Sequence, residues 1–510
     1  MGAHGSPSGQ REPDRGEAPE RQTKEVGRRR FLKTAALGGT AVGLFGGVSA
    51  AAISLGSSSK TASSTALGAA GRQSSGYPLG SASARGSAAA SRSAAASHAA
   101  SHSASPDGSA AASSSAASEE AAASAAASAE ASAHATVPVV QSGFAHPGLQ
   151  HSQADLDRMA AKVSAGAQPW TAGWNRLVAS SNSQSTWKPN PQPIVYRGTT
   201  SQDNYGTMYN DIHAAYQNGL RYHVSGDTAH AETAVAILNA WSATLTEVTG
   251  DADRFIAAGV YGYQFANAAE LVRDYPGFEL ERFQQMMLKV FYPMNNSFLT
   301  NHNGSFITNY WGSWDQLSYA SVLAIGILCE DSSKVDQALT YFQSGAGNGS
   351  IMHAIPRLYS GGLGQWVEAG RDQGHATLGI GLTAAFCQMA WNQGHDMYGY
   401  ADSRFLAGAE YVAQYNIGQS VPYTSFTWVF GAPGVWSGSQ TFTSASDNSR
   451  GNVRPIWEMI YNHYVVGQGM SAPALEAIAA SVRPEGGGSQ YGPDSGGYDQ
   501  LGFGTLSYTL

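Results

Sequence analysis

Cysteine is almost missing from this chain of 510 residues: Cys329 and Cys387 are the only two. No C-x-x-C and no Cys/His ligand spacing occurs, which argues against a thiolate metal centre. Both residues sit in apolar helical patterns, either paired with each other or as buried free thiols. Charge is scarce too. Only 13% of residues are charged and the net charge is −8. The folded part has no basic run able to track a phosphate backbone, so nucleic acid is not an expected partner. His213, His223, His353, His395 and His463 are scattered without H-E-x-x-H or comparable spacing, and no metal is expected. Between residues 57 and 136 large apolar side chains are nearly absent. That Ala/Ser/Gly stretch cannot build a core and is expected to be a disordered linker.

What is present begins with GRRRFLK at residues 27–33, where Arg28 and Arg29 precede a Gly-interrupted apolar segment and a V-S-A-A stretch near Ala50. This predicts a twin-arginine export signal over residues 1–56 and therefore a secreted or cell-surface protein. The alternative is that the segment is retained as a membrane anchor; no other membrane partner is expected. Residues 137–510 remain as one large domain.

From about Gly148 that domain reads as roughly a dozen helical patterns with apolar residues at three- and four-residue intervals, broken by Gly, Pro, Asn or Asp. AHAETAVAILNAWSATL and WDQLSYASVLAIGILCED are two of them. No segment before the C-terminus alternates as a strand, so the expected class is all-α with short strands only in a C-terminal extension. Helical hairpins of this kind stack either as an open solenoid or as a closed α/α toroid. The long aromatic and polar loops, such as SFTWVFGAPGVWSGSQTF, favour the toroid, because they would crowd one mouth of a ring.

The densest chemistry stands in EAGRDQGH, residues 368–375, which opens an almost chargeless apolar helix. Helical spacing would place Glu368, Arg371, Asp372 and His375 on one face. A salt-bridge cluster answering the helix dipole is the plain reading. A second segment, TNYWGSWD, holds Asn309, Tyr310, Trp311, Trp314 and Asp315 at the start of another apolar helix. Two such helix entrances suggest two sides of one cleft. Flat aromatic rings beside Asn, Gln and Asp suit a carbohydrate groove, although either tryptophan also fits a core. Arg483 adjoins the Gly-rich loop GGGSQYGPDSGGYDQ, whose backbone is able to approach a ligand closely.

Together, EAGRDQGH, TNYWGSWD, LRYHVSGDTAHAETAVAILNAW and GGYDQLGFGTL resemble the bacterial alginate lyase-like family of helical-toroid polysaccharide lyases, over about residues 145–510. The branch with alginate and glucuronan lyases, polysaccharide lyase family 38, is nearest. The resemblance implies β-elimination on an acidic, uronate-containing polysaccharide without a cofactor. Such a reaction needs donors to neutralise the uronate carboxylate, a base for the C5 proton and an acid for the departing O4.

On that footing Asn309, Arg371 and Gln373 are the carboxylate donors, with Glu368 assisting if protonated. His375 is the first choice as base, since an imidazole ordinarily titrates near neutrality. Tyr310 is the first choice as acid. The chain departs from the classical mannuronate lyases. Thr308 and Asn309 run directly into Tyr310 with no intervening histidine, and Leu378 stands where a tyrosine would follow Arg371 by seven residues. Tyr196, Tyr261, Tyr359 and Tyr491 therefore remain candidate tyrosines. Two rivals stay open: an inverting glycoside hydrolase drawing on Asp315, Glu368, Asp372, Asp494 or Asp499, and a glycan-binding protein without activity.

Overall fold

The computed structural model describes residue 138 and residues 143–199, 201–452, 454–488 and 498–510. The twin-arginine segment and the Ala/Ser-rich stretch lie outside the described residues, as do Tyr491 and Asp494. All described residues fall within one compact unit, Ser49–Leu510.

Helices dominate that unit. In chain order they are α1 Gln153–Ser164, α2 Trp170–Val178, α3 Tyr205–Ser225, α4 Thr228–Thr244, α5 Arg254–Glu270, α6 Leu280–Met286, α7 Tyr292–Asn301 and α8 Gly312–Leu328. They continue with α9 Ser332–Ser344, α10 Ile351–Ala354, α11 Gln373–Asn392, α12 Tyr400–Asn416, α13 Trp457–Tyr461, α14 Pro473–Val482 and α15 Gly504–Ser507.

Their burial sorts them into two layers. Every residue of α8 is buried, and α5 and α11 are buried along nearly their whole length. These helices are buried all round, as an inner layer must be, and their few polar residues are buried with them. By contrast α9 buries only Val335, Ala338, Leu339 and Phe342, a single stripe at the spacing of an amphipathic outer helix. Contacts run from α3 to α5, α8 and α11, then through α13 and α15 to α1, which returns to α3. The inner circuit therefore closes within the unit, with α4, α9 and α12 packed outside α3, α8 and α11. This is the α/α toroid. Close approach of α5 and α8 depends on Gly262, where an added Cβ would lie 2.1 Å from Ser321 Oγ.

Strands are short but differ from the expectation. Parallel β1 (Ile194–Arg197) and β2 (Glu247–Gly250) pair Ile194 with Glu247. A small hairpin joins β3 (Arg357–Tyr359) to β4 (Leu363–Gln365). The longest pair, β5 (Phe426–Ala432) and β6 (Trp436–Phe442), lies in the segment read above as a loop. Its alternation is hidden in the sequence because Val429 occupies a solvent-side position where a polar residue would signal a strand. Among the described residues the C-terminal region contributes one bridge, Gly487 to Gly502, and the short α15 rather than a sheet.

Cys329 and Cys387 are free thiols, and burial pushes the first up to about 12.

Candidate active site

The entrance to α11 is built by a turn and a cap. Arg371 N donates to Glu368 O at 2.9 Å, closing a turn before the helix, and Asp372 takes the N-cap position with extended backbone. Glu368 and Arg371 therefore precede the helix instead of lying on it, contrary to the spacing argument. Convergence survives because the turn folds them back. Asp372 Oδ1 accepts from His375 N at 2.7 Å, which satisfies an otherwise orphaned helix donor.

The same carboxylate holds the His375 ring, with Nδ1 at 2.7 Å from Oδ2. Across the ring, Arg371 Nη2 lies 3.2 Å from His375 Nε2, and Arg371 Nη1 donates to Glu368 Oε1 at 3.1 Å. Ser313 at the start of α8 also donates to Glu368 Oε1, at 3.2 Å. The four residues thus form one relay, Glu368 to Arg371 to His375 to Asp372. With an arginine facing Nε2 and a carboxylate facing Nδ1, the proton of the neutral form of the imidazole belongs on Nδ1.

The electrostatics follow from burial. Glu368 is fully buried, and loss of solvent raises its carboxyl above the ordinary range against the pull of Arg371 and His375. Its Oε2 has no hydrogen-bond partner. Burial also works against charge on Asp372, but hydrogen bonds from His375 and the charges of His375 and Arg371 outweigh it and hold that carboxyl low. His375 is the open member, with 38% of its side chain exposed.

The second helix entrance meets the first. The Arg371 guanidinium stands 5.3 Å from the centre of the Trp311 ring, close enough for cation–π attraction. Trp311 in turn stacks on Trp428 of β5 at 4.7 Å. Trp314 and Tyr310 pack together at 4.5 Å, with Phe298 against both. Tyr310 accepts from Asn303 Nδ2 at 2.9 Å and makes no hydrogen bond to Arg371 or His375. Asn309 uses Oδ1 to accept from Gly431 N at 2.7 Å, anchoring the β5–β6 hairpin.

Other expected contacts are internal braces. Gln373 is buried, donating to Ala369 O and Ser446 O and accepting from Asn416. Asp315 accepts from Tyr341, Gly349 N and His302 in a buried network. Arg483 is paired with Glu458 through two nitrogens. Tyr359 donates to Gln365 and Thr424 beside the β3–β4 hairpin. Tyr196 is half-buried on β1, and Tyr261 is buried with Arg197 on its hydroxyl. None of these side chains is hydrogen-bonded to the relay.

The hydrolase rival needs two carboxyl groups facing each other across a gap. Instead Glu368 and Asp372 both pair with Arg371, Asp315 is internally satisfied, and Asp499 pairs with buried Arg454 at 2.8 Å.

One tyrosine near the turn was missed. The Tyr423 hydroxyl lies over Gly370, where an added Cβ would be 2.1 Å from it, and it is buried without a hydrogen bond. No local signal announces a contact between residues so far apart in sequence.

Comparison with protein families matches residues 152–421 to the family described as alginate lyase. No curated protein matches the chain. Among solved structures, an alginate lyase from Bacteroides ovatus is 12% identical, covering 72% of this chain and all of its own, with a TM-score of 0.46. A variant of alginate lyase A1-III complexed with a tetrasaccharide is 16% identical, covering 56% of this chain and 83% of its own, at 0.42. Alginate lyase A1-III from Sphingomonas species A1 is 14% identical, covering 55% and 80%, at 0.40.

Proposed function

The chain belongs to the alginate lyase family and is a polysaccharide lyase, and on that premise we propose that it cleaves alginate or a glucuronan-like polymer by β-elimination at the Glu368–Arg371–His375–Asp372 relay. The observation that carries this assignment is the imidazole held between Asp372 and Arg371 with its ring open to solvent.

A uronate carboxylate would draw the Arg371 donors away from His375 Nε2. That move binds the carboxylate, spreads the charge that develops on it, and uncovers the basic lone pair at the same moment. Nε2 then takes the C5 proton, the C4–C5 double bond forms, and the C4–O4 bond breaks. The imidazolium, stabilised by Asp372, returns the proton to the departing O4. His375 thus serves as base and acid in turn, while Glu368 anchors Arg371 from below. Tyr310, with its hydroxyl held by Asn303, shapes the aromatic wall and transfers no proton.

Arg28–Arg29 with the apolar segment behind them support an exported enzyme.

The test is a panel of alginate blocks, glucuronan, hyaluronan and pectate, followed by ultraviolet absorbance and reducing-end release in parallel. Absorbance of an unsaturated uronate rising on alginate or glucuronan is the expected result. Reducing ends without absorbance would replace elimination by hydrolysis.

A further inference from the structure

The inner face of the β5–β6 hairpin carries an aromatic series that runs beyond the core it packs on. Opposed residues share a face, so Phe426, Trp428 and Phe430 lie beside Phe442, Gln440 and Gly438, and Ala432 lies opposite Trp436 near the turn. Ring contacts run outward in steps. Trp311 meets Trp428 at 4.7 Å, Trp428 meets Phe430 at 4.5 Å, and Phe430 meets Trp436 at 5.8 Å. Gly438 makes room for this, since an added Cβ would lie 2.6 Å from the Phe430 ring. At its inner end the series touches Arg371. At its outer end Trp436 stays 43% exposed.

We infer that the hairpin is a further carbohydrate subsite, in which Phe430 and Trp436 form a stacking platform that leads the uronate polymer to Arg371. This rests on the lyase reading above. Three observations favour a polysaccharide as the occupant. The platform is continuous with the relay through Trp428 and Trp311. Exposed Gln440 lies on the same face and offers an amide to sugar hydroxyls. Residues 424–442 contain no charged side chain at all, so the hairpin neither repels a polyanion nor offers the cations that draw a tip to an acidic lipid surface. A polymer held at Arg371 by one sugar must lay its other sugars somewhere, and flat apolar rings suit their C–H faces.

The experiment uses the full chain and compares wild type with Trp436→Ala and Trp436→Phe. KM is measured on the cleaved polymer and on its shortest cleaved oligomer. Native gel retardation is measured with the same polymer and, separately, with phosphatidylserine vesicles. Trp436→Ala should raise KM on the polymer about tenfold, the loss of roughly one good stacking contact. It should leave kcat and the oligomer KM within about twofold, and Trp436→Phe should recover most of the affinity. An unchanged polymer KM in Trp436→Ala overturns the platform while leaving the lyase reading intact. If the wild type eliminates none of the uronate polymers, the lyase reading fails, and retardation alone judges the platform. Loss of retardation in Trp436→Ala then supports it; equal retardation of both proteins, or none by any polymer, overturns it. Vesicle binding that depends on Trp436 without polymer retardation also overturns it.

Discussion

Asp372 serves structure and chemistry with one carboxylate. It caps α11 through His375 N and fixes the imidazole through Nδ1. Asp372→Asn keeps the cap, because an amide oxygen accepts equally well, but removes the charge that stabilises the imidazolium. Turnover should fall by about 10²-fold or more with little change in melting temperature. A variant that loses stability but keeps its kcat would show Asp372 to be a cap only. Tyr310 makes the opposite case. Tyr310→Phe should keep kcat within about fivefold of wild type, because its hydroxyl is engaged with Asn303 and not with the relay. A loss comparable to that of Asp372→Asn would restore Tyr310 as the proton donor.

At the scale of elements, the short α13 is capped by an acid buried against another acid. Glu485 Oε1 accepts from Trp457 N at 2.7 Å and Glu458 N at 3.1 Å, while Oε2 has no partner. Burial, reinforced by the neighbouring charge of Glu458, pushes Glu485 up to about 8. A carboxyl raised in the fold contributes stability that is complete below its ordinary 4.5 and is lost as pH rises through about 8. Wild-type melting temperature should therefore decline between those limits. Glu485→Gln keeps the oxygen that caps α13 and removes the titration, so it should melt roughly 2 °C above wild type at pH 8 and show a flatter profile. Parallel pH profiles for the two proteins would remove Glu485 from the account.

Across the whole molecule, the toroid was legible because inner and outer helices write different patterns. The mostly apolar, almost chargeless text of α8 and α11 marks buried helices, and the striped text of α9 marks an outer one. The relay was legible for a local reason: Asp372 before Q-G-H and an apolar run is a helix cap with chemistry crowded around it. What stayed hidden depends on direction and distance. Gln373, Asp315 and Arg483 are polar residues in the right neighbourhood, yet their side chains turn inward to brace backbone and acids, and sequence carries no sign of that turn. Tyr423 and Trp428 reach Gly370 and Trp311 only through the folded ring, and in the β5–β6 hairpin exposed Val429 interrupts the alternation that would mark a strand.

The central claim is that Arg371 both binds the uronate carboxylate and releases the His375 lone pair. It is tested most directly by the initial rate of unsaturated-uronate absorbance in Arg371→Ala and Arg371→Lys, with the fold confirmed by circular dichroism. The account predicts a loss of about 10³-fold or more in Arg371→Ala. Recovery in Arg371→Lys should be slight, because a lysine ammonium replaces the charge but not the two-pronged grip. A folded Arg371→Ala protein that eliminates at the wild-type rate would contradict it.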